Sequence, residues 1–325
     1  MAPVLAVDKL STWFDTDQGS LKAVDEVSFQ LNAGDTLGIV GESGCGKTVL
    51  SLSIMRLVPT PPGRYVSGCI KLSGLDLLSL SEKEMRKVRG KAISMIFQEP
   101  MTSLNPVFRI GAQISETIRM HQGCNRTESH HKAIEMLRLV GIEVPEKRIK
   151  DYPHQLSGGM RQRVMIAMAL ACHPQLMLAD EPTTALDVTI QAQILALINS
   201  LKRDMGTSVI LITHDLGVIA ENAQQVAIMY AGKFVEYADV KDLFSRPLHP
   251  YTEGLLHSIP RIGGYYSRDK RLPMIPGGVP DLSRLPQGCR FHERCPDVMP
   301  ICRDDEPALI GQNFPKRYVR CWKYQ

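Results

Sequence analysis

The stretch from residue 41 to residue 48 reads Gly-Glu-Ser-Gly-Cys-Gly-Lys-Thr, a complete G-x-x-x-x-G-K-[ST] phosphate-binding loop. It lies between a short apolar run at 36–40 and a helix-like stretch at 49–57. The motif needs a strand before it and a helix after it, because the backbone N–H groups and the positive end of the helix must face one anion. The sequence therefore predicts an α/β core that binds a nucleoside triphosphate.

Each position of the loop has an expected role. Gly41, Gly44 and Gly46 let the backbone curl so that successive N–H groups face phosphate oxygens. Lys47 reaches the β and γ phosphates, and the hydroxyl of Thr48 is a ligand for Mg²⁺. The other positions contribute main-chain N–H groups, and they are Glu42, Ser43 and Cys45.

A second motif lies more than a hundred residues further along the chain. Residues 156–160 read Leu-Ser-Gly-Gly-Met and precede a helical run to Cys172, which resembles the signature of ATP-binding cassette (ABC) proteins. The apolar run at 176–179 ends in Asp180 and Glu181, which resembles a buried strand that delivers the Walker B carboxylates. Matching motifs in this order make a chance resemblance implausible.

Three more segments follow the order of the same family. Gln98 follows the strand-like run 93–97 and resembles the Q-loop, Asp187 ends a segment that resembles the D-loop, and His214 resembles the switch histidine. The resemblance implies a P-loop NTPase of the ABC nucleotide-binding type, with a RecA-like core, an antiparallel β subdomain and a helical subdomain at about 100–170. Helical spacing of apolar residues supports the last of these, at Ile114, Ile118, Ala133, Met136, Leu137 and Val140.

The resemblance narrows to the ATPases of dipeptide and oligopeptide importers on the segments 97–106, 152–156 and 249–252. It runs through nearly the whole chain, and the dipeptide type is the better match. It implies a subunit at the cytoplasmic face of the inner membrane that hydrolyses ATP to power peptide uptake. Its implied partners are a homologous ATPase subunit, two integral-membrane permeases and an extracytoplasmic peptide-binding protein. The alternatives are a soluble cassette ATPase of DNA repair or translation, or the same transporter with another cargo.

The resemblance also implies a role for each matched residue. Glu181 is the candidate general base for the attacking water, and His214 contacts the γ-phosphate. Thr48, Gln98 and Asp180 organise Mg²⁺, and Gln98 is also a candidate catalytic residue. The signature acts in trans, because it starts a helix whose N-terminus faces the nucleotide of the partner cassette. The signature residues are Ser157, Gly158, Gly159 and Met160.

An aromatic side chain near the N-terminus is expected to stack on adenine. The resemblance places this contact at Phe14 or at its neighbour Trp13. Packing of both rings within a sheet is an equally good interpretation.

Charge and hydropathy argue against two other classes of partner. The chain has 38 basic and 34 acidic residues, and its net charge of +4 is too small to favour nucleic acid. The longest apolar stretches, such as 164–172, are too short and interrupted to span a bilayer, and the N-terminus lacks the features of a signal peptide. We therefore expect a chain that reaches the membrane only through its partners.

A change of composition divides the chain in two. We expect the nucleotide-binding domain at 1–245 and a loop-rich C-terminal extension at 246–325, because prolines and glycines accumulate at 273–280. The extension contains four of the eight cysteines, which are Cys289, Cys295, Cys302 and Cys321.

These four cysteines are the candidate metal ligands. Their spacing, C-x5-C-x6-C-x18-C, is wider than the close pairs typical of zinc but does not exclude a zinc site. Disulfides do not fit the reducing cytoplasm. Four cysteines in so short a segment exceed ordinary usage, which argues against unligated thiols. The resemblance to the importer ATPases implies a [4Fe–4S] cluster.

Overall fold

The computed structural model of this protein describes residues 2–17, 19–98, 103–184, 186–259, 274–312 and 317–325. These residues form two sheets, one with both parallel and antiparallel pairs and one wholly antiparallel, with helices packed around them. Across the part of the chain that the structure describes, we find no helix whose length and apolar content would let it span a bilayer.

The larger sheet has the order β11-β12-β10-β9-β3-β8-β7-β6. Strands β9, β3, β8, β7 and β6 are parallel to one another, and β10 turns back antiparallel on β9. The strands are β3 (Thr36–Val40), β6 (Ile93–Ile96), β7 (Leu176–Asp180), β8 (Ser208–Thr213), β9 (Gln225–Tyr230), β10 (Lys233–Asp239), β11 (Ile310–Gly311) and β12 (Tyr318–Val319). The helices that alternate with them are α1 (Lys47–Ile54), α6 (Gly158–Leu170), α7 (Val188–Met205), α8 (Leu216–Asn222) and α9 (Val240–Ser245).

The parallel strands explain where the site lies. Every residue of β3, β6, β7 and β8 is buried, because both faces of the sheet are covered, and each therefore reads as a continuous apolar run in the sequence. The strands predicted at 36–40, 93–97 and 176–179 are confirmed, and the second of them ends at Ile96. Since the strands are parallel, their carboxyl ends meet at one edge of the sheet, which is where ligands bind in open α/β sheets.

The smaller sheet is antiparallel, with the order β2-β1-β4-β5. Its long first pair joins the two N-terminal strands, and the sheet is the antiparallel β subdomain that the family resemblance implied. The strands are β1 (Leu5–Thr16), β2 (Gly19–Leu31), β4 (Gly63–Leu72) and β5 (Leu75–Asp76), and α2 (Glu82–Val88) follows them.

A group of helices lies between β6 and β7 in the sequence. It consists of α3 (Ile110–Gln122), α4 (Arg126–Leu139) and α5 (Pro145–Arg148), and the start of α6 completes it. The predicted apolar face is confirmed, because Ile114, Ile118, Ala133, Met136, Leu137 and Val140 are all buried. Burial of this face holds α3 and α4 against each other and against α6.

The C-terminal extension packs on the larger sheet. Its helices are α10 (Pro250–His257) and α11 (Ile301–Asp304), and its strand β12 pairs antiparallel with β10. Its Tyr251 and Phe291 rings surround Tyr230 at centroid distances of 4.7 and 5.2 Å. These three rings are almost completely buried, so the extension shares a core with the strands of the nucleotide domain.

The first turn of α10 makes the stability of the protein sensitive to acid. His249 is buried at its N-cap, where the ring Nδ1 accepts a hydrogen bond from the Tyr251 N–H at 3.1 Å. Burial lowers the pKa of this imidazole from 6.5 to about 3. Between these values the unfolded chain binds a proton that the folded protein excludes, so the free energy of unfolding falls as the pH falls through this window. We expect a loss of about 2 kcal/mol between pH 6.5 and pH 5 from this group.

Urea unfolding at both pH values, followed by tryptophan fluorescence, measures this loss. In His249→Asn, which keeps a hydrogen-bond acceptor at the N-cap, the pH-dependent loss should shrink by about 2 kcal/mol. His130→Asn, a change at an exposed histidine, should leave the loss at its wild-type size. Equal pH dependence in wild type and His249→Asn would contradict the prediction.

Candidate nucleotide site

The phosphate loop joins β3 to α1 and depends on its glycines. Gly46 is the N-cap of α1, with a φ of 106° that other residues rarely adopt. A Cβ at Gly46 would lie 2.1 Å from the Ala23 carbonyl oxygen, and one at Gly41 would lie 2.2 Å from that of Met229. Strands β2 and β9 therefore press directly on the loop, and only glycine fits at both positions.

Lys47 stands at the first turn of α1, with its ammonium turned back into the loop. Nζ donates to the carbonyl oxygens of Gly41 at 2.7 Å and Glu42 at 3.0 Å. Cys45 lies beside it, at 3.7 Å from Nζ to Sγ, and burial raises the pKa of this thiol. The ammonium is thus held at the centre of the loop, close to where a bound phosphate would lie.

Asp180 ends β7 at the same edge of the sheet. Its side chain is buried, and its Oδ1 atom has no hydrogen-bond partner among the described residues. Burial raises the pKa of this carboxyl, while the nearby Thr48 hydroxyl lowers it. An unpaired carboxylate oxygen beside a threonine hydroxyl is a fitting donor set for Mg²⁺, which prefers oxygen ligands.

Glu181, the next residue, is the centre of a polar cluster. Its carboxylate accepts hydrogen bonds from Gln98 Nε2 at 3.2 Å and from the Thr184 hydroxyl at 2.8 Å. His214 Nδ1 lies 3.4 Å from the other oxygen. The sequence therefore identified three side chains that the structure brings together, from the ends of three different strands. Thr184 is a contact that the sequence analysis missed.

The backbone of Glu181 is unusual, because its φ is 46° although it is not glycine. A residue with a Cβ is strained in this left-handed conformation, and such strained residues concentrate at functional sites. The carboxylate of this residue contacts Gln98 and His214.

The signature and the D-loop start two neighbouring helices. Ser157 is the N-cap of α6, and its hydroxyl accepts a hydrogen bond from the Met160 N–H at 3.3 Å. Asp187 is the N-cap of α7, and its carboxylate accepts a hydrogen bond from the Ile190 N–H at 3.0 Å. Gly159 faces α7 closely, since a Cβ there would lie 3.1 Å from Ile190 Cγ2. Residue 185 of the D-loop segment and residues 99–102 after Gln98 lie outside the described part of the chain.

The two N-terminal aromatic side chains have different surroundings. Trp13 lies within 4.8 Å of the Lys22 ammonium and 5.4 Å of the Arg64 guanidinium, measured to the ring centroid. Phe14 packs on the backbone of Gly63, where a Cβ would lie 3.1 Å from its Cε1. Stacking of Phe14 or Trp13 on adenine stays a prediction.

The four cysteines of the extension lie in one neighbourhood. Burial raises the pKa of the Cys289 thiol to about 12, and the thiols of Cys302, Cys321 and Cys295 are near enough to add to this increase. The Cys289 N–H also donates to the Cys302 carbonyl oxygen at 2.8 Å. Among the described residues, however, no three or more metal-ligating side chains are placed to enclose a metal ion.

The structure also shows two contacts to the phosphate loop that the sequence analysis missed. The Arg294 guanidinium of the extension forms an ion pair with Glu42, and the Tyr251 hydroxyl accepts a hydrogen bond from the Glu42 N–H at 3.0 Å. Tyr251 lies in the segment 249–252 that carries part of the family resemblance, which is a signal that could have found it. Nothing in the local sequence around Arg294 points to a partner in the loop.

Two families match the sequence, in two separate regions. The family described as "ABC transporter" matches residues 24–184. The family described as "Oligopeptide/dipeptide transporter, C-terminal region" matches residues 235–302. The first match contains the phosphate loop, the signature and the two carboxylates, and the second covers most of the extension.

Among curated proteins, the probable peptide ABC transporter ATP-binding protein y4tR of Sinorhizobium fredii is 54% identical over 98% of this chain and 95% of its own length. The oligopeptide transport ATP-binding protein AppD of Bacillus subtilis is 51% identical over 100% of this chain and 98% of its own. The dipeptide transport ATP-binding protein DppD of Bacillus subtilis is 50% identical over 99% of this chain and 95% of its own length.

A solved structure supports the fold. The dimeric structure of MJ0796, a bacterial ABC transporter cassette, has a TM-score of 0.65 and 26% identity, and the alignment covers 73% of this chain and 98% of that one. The likeness to three such peptide and oligopeptide proteins extends over 95%, 98% and 88% of their own length. The chain belongs to the family of ATP-binding subunits of oligopeptide and dipeptide ABC transporters.

Proposed function

We propose that this chain is the ATP-hydrolysing subunit of an importer for dipeptides or oligopeptides. One observation carries the proposal: a complete cluster of Gln98, Glu181 and His214 lies beside an intact phosphate loop, in a chain whose extension matches the peptide-transporter family. The similar proteins described above are peptide, oligopeptide and dipeptide transport ATP-binding proteins, and this supports the cargo class. A DNA-repair or translation ATPase is not favoured by any of them.

The proposed reaction is in-line attack of water on the γ-phosphorus of ATP, which breaks the bond to the β–γ bridging oxygen and releases ADP and phosphate. Glu181 accepts a proton from the water or orients it, and Gln98 and His214 hold that carboxylate in place from two sides. Lys47 leaves its carbonyl partners in the loop and donates instead to the β and γ phosphates. Thr48, Gln98 and Asp180 are the residues that would hold Mg²⁺, which supplies charge neutralisation for the phosphates.

Two cassettes are proposed to complete each site. The N-terminus of α6, which Ser157 caps, and the loop at Asp187 would face the nucleotide of a partner cassette. A homologous ATPase subunit, two integral-membrane permeases and an extracytoplasmic peptide-binding protein complete the proposed assembly. This assembly would hold the chain at the cytoplasmic face of the membrane. We propose the same division of the chain as above, with the catalytic domain at 1–245 and the extension at 246–325.

Uptake assays test the cargo. Cells that lack this chain are complemented with the wild type or with Glu181→Gln, and uptake of a labelled dipeptide, a labelled pentapeptide and a free amino acid is measured. Wild type should restore uptake of at least one peptide, and Glu181→Gln should restore neither. If the purified chain binds ATP but neither peptide is taken up, the cargo class is wrong while the ATPase role stands.

For the extension we propose a [4Fe–4S] cluster on Cys289, Cys295, Cys302 and Cys321, with zinc as the alternative. The proximity of the four thiols and the thiolate preference of such clusters support it. Anaerobic purification followed by analysis of iron, acid-labile sulfide and zinc tests it. About four irons and four sulfides per chain are expected. One zinc without iron would replace the cluster by a structural zinc site. The absence of both iron and zinc would overturn both assignments.

A further inference from the structure

The second residue of the phosphate loop is held by the C-terminal extension. Arg294 donates to both carboxylate oxygens of Glu42, from Nη1 at 2.6 Å and from Nη2 at 3.0 Å. The Arg294 side chain is only 5% exposed, whereas that of Glu42 is 32% exposed. A bidentate pair with one partner almost fully removed from water is among the stronger ion-pair geometries.

Arg294 is itself fixed by its surroundings. Its Nε donates to the Pro276 carbonyl oxygen at 2.8 Å, and its guanidinium carbon lies 5.7 Å from the Tyr230 ring and 5.9 Å from the Phe291 ring. These contacts leave the two terminal nitrogens directed at the loop. The arginine is therefore placed before any nucleotide arrives, and little conformational entropy is lost when Glu42 binds it.

The main chain of Glu42 has a second contact to the extension. Its N–H donates to the Tyr251 hydroxyl at 3.0 Å, and Tyr251 is fully buried in α10. Two residues of the extension thus fix one loop residue through both its side chain and its backbone.

The charge of Glu42 matters because of where it lies. It is a carboxylate inside a loop that accommodates the polyphosphate of ATP, so without a counter-charge it would repel the nucleotide. Among the described residues, Arg294 is the cation that forms an ion pair with it. We infer that Arg294 is a positioning residue for nucleotide binding: by neutralising and fixing Glu42, it makes the C-terminal extension a part of the nucleotide site. This inference rests on the proposed function, since it assumes that the loop binds ATP.

Equilibrium binding of MgATP to the purified full-length chain tests it, measured by displacement of a fluorescent ATP analogue. Arg294→Ala should weaken ATP binding by about tenfold, because Glu42 is left uncompensated. Arg294→Lys keeps the charge and should retain most of the affinity. The double variant Glu42→Gln/Arg294→Gln removes both charges and should regain at least half of the loss on a logarithmic scale, which a purely structural arginine would not allow.

Arg290→Ala is the matched control. Arg290 also lies in the extension next to a cysteine, is 9% exposed, and pairs with the core carboxylate Asp25 and with Glu306, but its described contacts do not include the loop. ATP affinity within twofold of wild type is expected for it. The inference is overturned if Arg294→Ala stays within twofold of wild type, if Arg290→Ala weakens binding equally, or if the double variant shows no recovery.

In the assembled transporter, the same variants separate binding from turnover. Arg294→Ala should raise KM for ATP by about tenfold while kcat at saturating ATP changes less than twofold, because Arg294 touches neither Glu181 nor His214. A loss confined to kcat would overturn the positioning role. If the wild-type chain itself binds no ATP, the proposed function fails instead, and the two failures are distinguishable.

Discussion

Replacing Glu181 with Gln should leave ATP affinity near that of the wild type and lower the hydrolysis rate of the assembled transporter at least a hundredfold. The amide keeps the size of the side chain and can still bond to Gln98 and Thr184, but it cannot accept a proton from water. A positioned general base increases the rate by a factor of about 10²–10⁴. Most of the turnover should therefore depend on the Glu181 carboxylate.

The measurement is phosphate release at saturating ATP, together with ATP affinity of the purified chain. Glu221→Gln, the same change at an exposed carboxylate of α8, is the control and should hydrolyse ATP at the wild-type rate. An unchanged hydrolysis rate in Glu181→Gln would remove this residue from the role of base.

Replacing Lys47 with Ala should weaken ATP binding itself by about a hundredfold. Charge-assisted hydrogen bonds to phosphate are worth about 1.5–3 kcal/mol each, and the Lys47 ammonium is placed to make at least one. Its present acceptors, the Gly41 and Glu42 carbonyl oxygens, show that the side chain already lies inside the loop.

Titration with the fluorescent ATP analogue measures this loss. Lys202→Met is the control, because Lys202 is another buried lysine but donates to the Thr36 hydroxyl at 2.6 Å, at the opposite end of β3. Wild-type affinity is expected for the control. Retained affinity in Lys47→Ala would contradict the phosphate contact.

The sequence predicted well which side chains meet at the carboxyl edge of the parallel strands, for physical reasons. Strands buried on both faces read as apolar runs, and the polar residue after each run has to lie at the common edge. Gln98, Glu181 and His214 therefore converge as expected. The left-handed backbone of Glu181 was not predictable, because a positive φ is signalled by glycine or asparagine and not by glutamate.

The extension was predicted less well. Its strands β11 and β12 have two residues each, too short for any hydrophobic period to show. The pair of Glu42 and Arg294 joins residues 252 positions apart, and no local pattern links them. The sequence did predict that the extension is rich in turns, since proline and glycine carry that information locally.

The pairing of β12 with β10 has a consequence for handling the protein. Strand β10 is almost wholly buried, and β12 pairs with its outer side at Glu236 and Tyr237. If proteolysis or truncation removed the extension, β10 would become an uncovered edge strand with an apolar surface, and such edges recruit strands from other molecules. Shortened forms of this chain should therefore aggregate, and preparations that lack the extension should be poorly soluble even with the residues of the candidate nucleotide site in place.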